Sequence, residues 1–438
     1  MSMFLIKKKL KTDELLLTRK YWIDSPSSSL VIDEKNPVVE IRGWIQIFDN
    51  ENVTLMIKYG EIVEEFSPEI ERNDVVRSLN SNGSYTISKC GYRHKVVINN
   101  LSIPNLITLN VKINGQCYEL CSLNIRKIIK VKEGKSGWLF LDNDTNRSVD
   151  QFTGKKLISN TDLIKYMDFF SAIDGLSNKL NFSWCYSISP GKEFIFHDYH
   201  PNVLGNINPM IQILNLCVSN VICPIDDLFE SRELSYWKGD THWTDYGALL
   251  ACMQIFNFFN IDVKGVFDSI SFKISKSYGD LGSKLIPPIE SDKLSYIDSK
   301  SFMIFNNGII NHGRISIYEN SKAKTSYNCV IFGDSFSVSM CPWLALVFKK
   351  VTWIYSAGSV DKQILEYEKP DYVILQCNSR FLLTPPTTEY SIKESIINKL
   401  KHGNVKHDFQ DVKYKESDSF FYSKMMFDVM NMVYHHKS

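Results

Sequence analysis

A chain of 438 residues with 50 basic and 49 acidic side chains has a net charge of only +1, so no global field draws it to nucleic acid or an anionic membrane. Its 44% hydrophobic and 13% aromatic content excludes a disordered chain, and its length predicts more than one core. No apolar run reaches the roughly 18 residues of a membrane span, and residues 1–20 lack an apolar stretch of signal-peptide length. The ten cysteines are scattered, with Cys185, Cys252, Cys329 and Cys377 inside apolar runs, which suits buried thiols in a reducing compartment. Cys117 and Cys121 are close together, but no histidine completes a zinc set. A metal-free protein located in the cytoplasm, associated with membranes only through partners, is the expectation.

In chain order, residues 1–20 form a lysine-rich N-terminal extension. Residues 21–126 read as β structure: 38–45 and 53–59 are β-branched and aromatic runs, and Asn114-Gly115 between 109–113 and 117–120 signals a two-residue hairpin. Short strands with turn residues between them predict an all-β sandwich, either an accessory binding module or a structural appendage. Residues 127–385 change character. Helical periodicity over 157–180 and 245–259 alternates with strand-length apolar runs at 182–188, 327–332, 351–355 and 372–376, and a helical stretch covers 362–368. That alternation predicts an α/β layer fold with a mainly parallel sheet. Residues 386–438 form a C-terminal helical extension, with helical spacing at 389–401 and 420–434.

Two strings carry the chemistry. Asp240-Thr241-His242-Trp243 sets a carboxylate two residues from an imidazole, and Gly333-Asp334-Ser335-Phe336 sets a serine just past an apolar strand. A serine hydroxyl becomes a useful nucleophile when an imidazole takes its proton and a carboxylate holds that imidazole in the right tautomer. On an extended segment Asp240 and His242 project to the same side. Open α/β sheets place ligands at the carboxyl ends of their strands, where Ser335 falls. Gly333 permits a tight turn, and a helix starting near Ser335 offers N–H groups to an oxyanion. The bland alternative is a capped helix start, with Asp240 or Thr241 as N-cap. Thr244 is an equal candidate for the cap, and that choice releases Asp240.

Further strings occur in order over residues 131–384: Gly134-Lys135-Ser136-Gly137-Trp138-Leu139-Phe140-Leu141, Ser189-Pro190-Gly191-Lys192, Gly279-Asp280-Leu281-Gly282, and Pro370-Asp371-Tyr372-Val373-Ile374 running to Arg380. With these the chain resembles the SGNH-hydrolase-like acetyltransferases of bacterial exopolysaccharides, the alginate O-acetyltransferase family. The resemblance implies a three-layer α/β/α domain in which the aspartate and histidine precede the serine, the reverse of ordinary SGNH hydrolases. It implies Ser335 as nucleophile, His242 as general base and Asp240 as its orienting partner. It further implies transfer of an acetyl group to a sugar hydroxyl of a surface polysaccharide or its precursor through an acyl-serine. Gly333, Asn378, Arg380 and Lys192 become candidates for oxyanion or substrate binding. Arg380 is equally open to pairing with a structural carboxylate. No bound cofactor is implied. The donor is acetyl-CoA or an acetylated partner protein, and the acceptor is a carbohydrate. An esterase using the same triad and a non-catalytic glycan-binding protein are the alternatives. Gln376-Cys377-Asn378-Ser379 departs from the acidic residues the family often carries there.

Overall fold

The computed structural model describes residues 3–11, 19–33, 37–81, 85–98, 106–128, 131–285, 287–297, 302–402 and 420–434. The chain divides into two compact units, Met1–Ile128 and Ile129–Ser438.

The first unit holds two antiparallel sheets. One has six strands in the order Ser29–Asp33, Met3–Leu10, Gln116–Ile128, Leu106–Ile113, Val53–Tyr59 and Ile62–Phe66. The other has four, Tyr21–Ser25, Val38–Ile45, Lys89–Val97 and Ile70–Glu71. Both feed one core: Ile6, Leu55, Leu109 and Leu123 come from the first sheet, and Ile23, Ile41 and Tyr92 from the second. Period-two alternation explains which side chains enter, as Val39, Ile41 and Ile45 are buried along Val38–Ile45. The hairpin at Asn114-Gly115 turns through two left-handed residues, at φ 48° and 92°, which matches the twist of the flanking strands.

One boundary differs from the sequence reading. Residues 1–20 are not all extension, because Met3–Leu10 pairs with both Gln116–Ile128 and Ser29–Asp33. The lysines hide an alternating strand: Ile6 is fully buried, Lys7 and Lys9 are exposed, and Lys8 Nζ donates to the Ile23 carbonyl at 2.8 Å.

The second unit is built on a seven-stranded sheet in the order Val221–Ile222, Ser183–Ser189, Tyr372–Asn378, Asn328–Gly333, Lys350–Tyr355, Ile315–Glu319 and Met303–Asn306. Its first five strands are parallel to one another, Ile315–Glu319 pairs antiparallel to Lys350–Tyr355, and Met303–Asn306 pairs antiparallel to Ile315–Glu319. Alternation along the central strand sends Val330 and Phe332 into one core and Cys329 and Ile331 into the other, so both faces are covered. Helix Asn160–Leu180 covers the first face through Tyr166, Phe170 and Ile173. Helices Asp245–Phe258 and Ser337–Val347 cover the second through Ile255, Phe256, Met340 and Trp343. Each such side chain contributes about 1.5–3 kcal/mol on burial.

The C-terminal stretch is part of this packing. Helices Ile392–His402 and Phe421–Tyr434 place Ile396, Tyr422, Met426 and Val429 in the first core, and Tyr422 donates to Glu368 at 2.6 Å. The rest of the expected extension, 403–419 and 435–438, lies outside the described residues. Among the described residues no helix is long and apolar enough to cross a membrane.

Candidate active site

Ser335 sits two residues beyond the Asn328–Gly333 strand, at the carboxyl end of the parallel sheet. The turn that presents it is tightly determined. A Cβ on Gly333 would strike the Ser337 hydroxyl and lie 2.7 Å from Gln376 Oε1. Asp334 donates its N–H to Gln376 Oε1 at 2.8 Å, while its carboxylate accepts from the N–H groups of Phe336 at 2.9 Å and Asn378 at 2.6 Å. Burial pushes the Asp334 carboxyl above its ordinary range, against the pull of those two N–H groups. Ser335 itself is half-buried, and the following helix starts at Ser337.

The imidazole arrives from the loop before Asp245–Phe258. Thr244 caps that helix, accepting from the Gly247 N–H at 3.1 Å, which leaves Asp240 free. The backbone bends at 241–242 instead of staying extended, so the Asp240 carboxylate reaches His242 by folding back. Its Oδ1 accepts from the His242 N–H at 2.9 Å and faces the ring Nδ1 at 2.8 Å, and its Oδ2 accepts from the Asp280 N–H at 2.8 Å. Burial pushes the Asp240 carboxyl up, but the hydrogen bonds and charge of His242 outweigh it and hold the group below the usual carboxylate range. An ionised Asp240 only accepts, so Nδ1 carries the proton and Nε2 presents a lone pair. That Nε2 lies 2.8 Å from Ser335 Oγ. Trp243 locks the two loops together, its indole N–H donating to the Phe336 carbonyl at 3.1 Å and to Ser339 Oγ at 2.9 Å.

Two residues hold this arrangement in ways the sequence did not reveal. Asp280 accepts from the Thr241 N–H at 2.7 Å and the Thr241 hydroxyl at 2.6 Å, bracing the bend from outside. Its own turn depends on Gly279, at φ 64°, where a Cβ would strike the Gly239 carbonyl. Lys192 is 2% exposed and was expected near substrate. Instead its Nζ donates to the carbonyls of Trp237, Lys238 and Asp240 at 2.9, 3.0 and 2.6 Å, clamping the histidine loop from beneath. Burial pulls its pKa down to about 7, against Asp280, Asp240 and Glu193.

The remaining candidates divide. Asn378, read as an oxyanion donor, has its amide N–H engaged with the Ser189 carbonyl at 2.9 Å and its Oδ1 accepting from the Arg380 N–H, so it ties strand ends together. Gly333 is buried and serves the turn through its missing side chain. Arg380 lines a cavity of about 260 Å³ with Tyr355, His312, Ser359 and Thr384. Among the described residues its guanidinium makes no ion pair, and its Nε is buried without a partner. Burial pushes the Tyr355 phenol up to about 12, while hydrogen bonding to the Ser335 side chain and backbone pulls it back, so the cavity adjoins the serine.

Asp240, His242 and Asp280 bring ligand atoms within 4.8 Å of one another, the spacing of a cation site. Their inward atoms are engaged: Nδ1 with Asp240, Asp240 Oδ2 with the Asp280 N–H, and both Asp280 oxygens with Thr241. The cluster is best described as a hydrogen-bonded brace.

No protein-family model matches the sequence, and no curated protein matches it. In three dimensions the chain is similar to PatB1 of Bacillus cereus, at 14% identity and a TM-score of 0.45, over 58% of this chain and 97% of that one. It is also similar to a DHHW family protein from Eubacterium siraeum, at 12% identity and a TM-score of 0.41, over 63% and 92%. The O-acetyltransferase domain of Pseudomonas putida AlgJ is similar at 15% identity and a TM-score of 0.34, over 59% and 94%. With TM-scores below 0.5, none of these likenesses bears on chemistry, which rests on the side chains above.

Proposed function

We propose that the chain is a serine-dependent O-acetyltransferase that moves an acetyl group to a sugar hydroxyl, with an SGNH-like catalytic unit following a β-sandwich accessory unit. One observation carries the reading: an unbroken hydrogen-bonded line from Asp240 through His242 to Ser335, 2.8 Å at each link. Ser335 Oγ attacks the donor's acyl carbonyl while His242 Nε2 takes its proton, and the imidazolium is stabilised by Asp240. The leaving group departs with that proton, leaving an ester on Ser335. A sugar hydroxyl then enters, gives its proton to His242 and attacks the ester, and the proton returns to Ser335 Oγ. The Tyr355 phenol, which borders the Ser335 side chain and backbone, supplies a hydrogen-bond donor beside the reacting serine. The half-buried Arg380 beside them is placed to orient the acceptor.

The test is incubation with isotopically labelled acetyl-CoA, followed by peptide mass spectrometry and product analysis on acetylated and free oligosaccharides. A labelled ester on Ser335 that transfers to sugar supports the proposal. Hydrolysis of acetylated glycan without transfer makes the protein an esterase with the same triad. Unaltered function in Ser335→Ala makes it a non-catalytic glycan binder.

A further inference from the structure

A second opening begins just past the serine, at Val338 and Ser339. It is an open cleft of about 800 Å³, within the size range of small-molecule sites. One wall is the antiparallel hairpin of Phe272–Ser277 and Ser291–Tyr296, in which Lys273 faces Ser295 and Ser275 faces Lys293. Alternation places these four side chains on one face, two ammonium groups and two hydroxyls set diagonally. The opposite face carries Lys276 and Asp292, register partners that neutralise each other in an ion pair of 2.6 Å. Neither cleft-facing lysine makes an ion pair among the described residues; the Lys293 ammonium lies over the Trp237 ring at 4.6 Å, within the field of Asp245.

The other wall adds a third cation. Arg314 stacks on Trp353, 4.9 Å from ring to guanidinium carbon, and its Nε is buried with no partner among the described residues. Its carbonyl accepts from the N–H of Tyr355, the residue that borders Ser335. Val338 also lines the cleft and donates its N–H to the Ser335 carbonyl, so this wall begins within one helical turn of the serine. Against three cations the cleft offers one carboxylate, Asp245, giving a net charge of +2, and that carboxylate is already engaged with the Tyr296 N–H at 2.8 Å.

Lysines without an ion pair beside hydroxyls, with an arginine across from them and cations in excess of carboxylates, are what a phosphoryl group requires: cations for its charge and donors for its oxygens. We propose that this cleft binds the diphosphate of a nucleotide-linked substrate. Which substrate it is rests on the acyl-transfer reading above: a thioester donor built on coenzyme A, or an acceptor sugar carried on a nucleoside diphosphate.

The experiment titrates the full chain by calorimetry with inorganic pyrophosphate, coenzyme A and uridine diphosphate, in both the wild-type protein and Ser335→Ala. Saturable binding that weakens with added salt is expected, equal in the two proteins. The Lys273→Met/Lys293→Met double variant should lose at least about tenfold in affinity, and Lys276→Met should stay within about twofold, because only the former face the cleft. Tighter binding of coenzyme A assigns the site to the donor, tighter binding of uridine diphosphate assigns it to the acceptor, and equal affinity for all three shows that the diphosphate is all the cleft reads. No saturable binding of any probe at millimolar concentration overturns the proposal, as does an equal loss in Lys276→Met. Absence of an ester on Ser335 with these bindings intact would remove the acyl-transfer reading alone.

Discussion

Replacing Lys192 with methionine, nearly its isostere, tests whether the histidine loop is held from below. The ammonium makes three hydrogen bonds to backbone carbonyls in a site 2% exposed. Leaving one buried acceptor unpaired costs about 1–3 kcal/mol, so three set a ceiling near 9 kcal/mol. Removing the desolvation cost of a buried charge offsets several kcal/mol of that, and a net destabilisation of about 3 kcal/mol is expected. Because the bonded carbonyls belong to 237, 238 and 240, the slack falls on the carboxylate that orients His242. A displacement of about 1 Å there reduces turnover by up to about a hundredfold. Urea unfolding and the rate of fluorophosphonate labelling of Ser335 are measured together, with labelling read where both proteins are fully folded. The pH dependence carries a sign of its own. The folded-state pKa is lowered to about 7 from 10.5, so between those values the unfolded chain holds a proton that the folded chain has shed. Stability of the wild type relative to Lys192→Met must therefore rise with pH across that window and stay level below it. A stability loss under about 1 kcal/mol with an unchanged labelling rate would show that the loop does not depend on the clamp.

Three further outcomes follow from the same geometry. Asp280→Ala removes both acceptors of Thr241, leaving its N–H and hydroxyl unpaired; a loss of about 1–3 kcal/mol in thermal unfolding and slower Ser335 labelling are expected. Gly333→Ala forces its methyl against the Ser337 hydroxyl and the Gln376 amide, so denaturant titration should show a loss of about 1–3 kcal/mol. Arg380→Met removes a cation from the cavity beside Tyr355, and steady-state kinetics should show a higher KM for the acceptor while the yield of acyl-serine from donor alone is unchanged.

The strand-forming apolar runs of the second unit were legible because burial on both faces leaves a continuous signature, as in Cys329–Val330–Ile331–Phe332. The pairing of Asp240, His242 and Ser335 was legible as residue types, although the bend that joins the first two was not, since an extended dipeptide and an Asp-anchored turn have the same letters. Lys192 and Asn378 were misread because a buried polar group engaged with backbone carbonyls leaves no trace in sequence; only the fold reveals which carbonyls converge on it. Asp280 escaped for the same reason, its bonds running to Thr241 across 39 positions. The hairpin of Phe272–Ser277 and Ser291–Tyr296 was missed because both strands are short and mostly polar, so the apolar signal that marks a strand is weak in each.

The last helix deserves weight when the chain is shortened for experiment. Tyr422, fully buried, reaches Glu368 at the end of helix Lys362–Glu368, and Glu368 in turn pairs with Lys350 at the head of a sheet strand. A version ending at residue 386 would bare the greasy flank that Met426 and Val429 shield and leave that acid half-satisfied. Such a fragment would keep every group invoked for chemistry and still be prone to clump, so its inactivity would speak to solubility and not to mechanism.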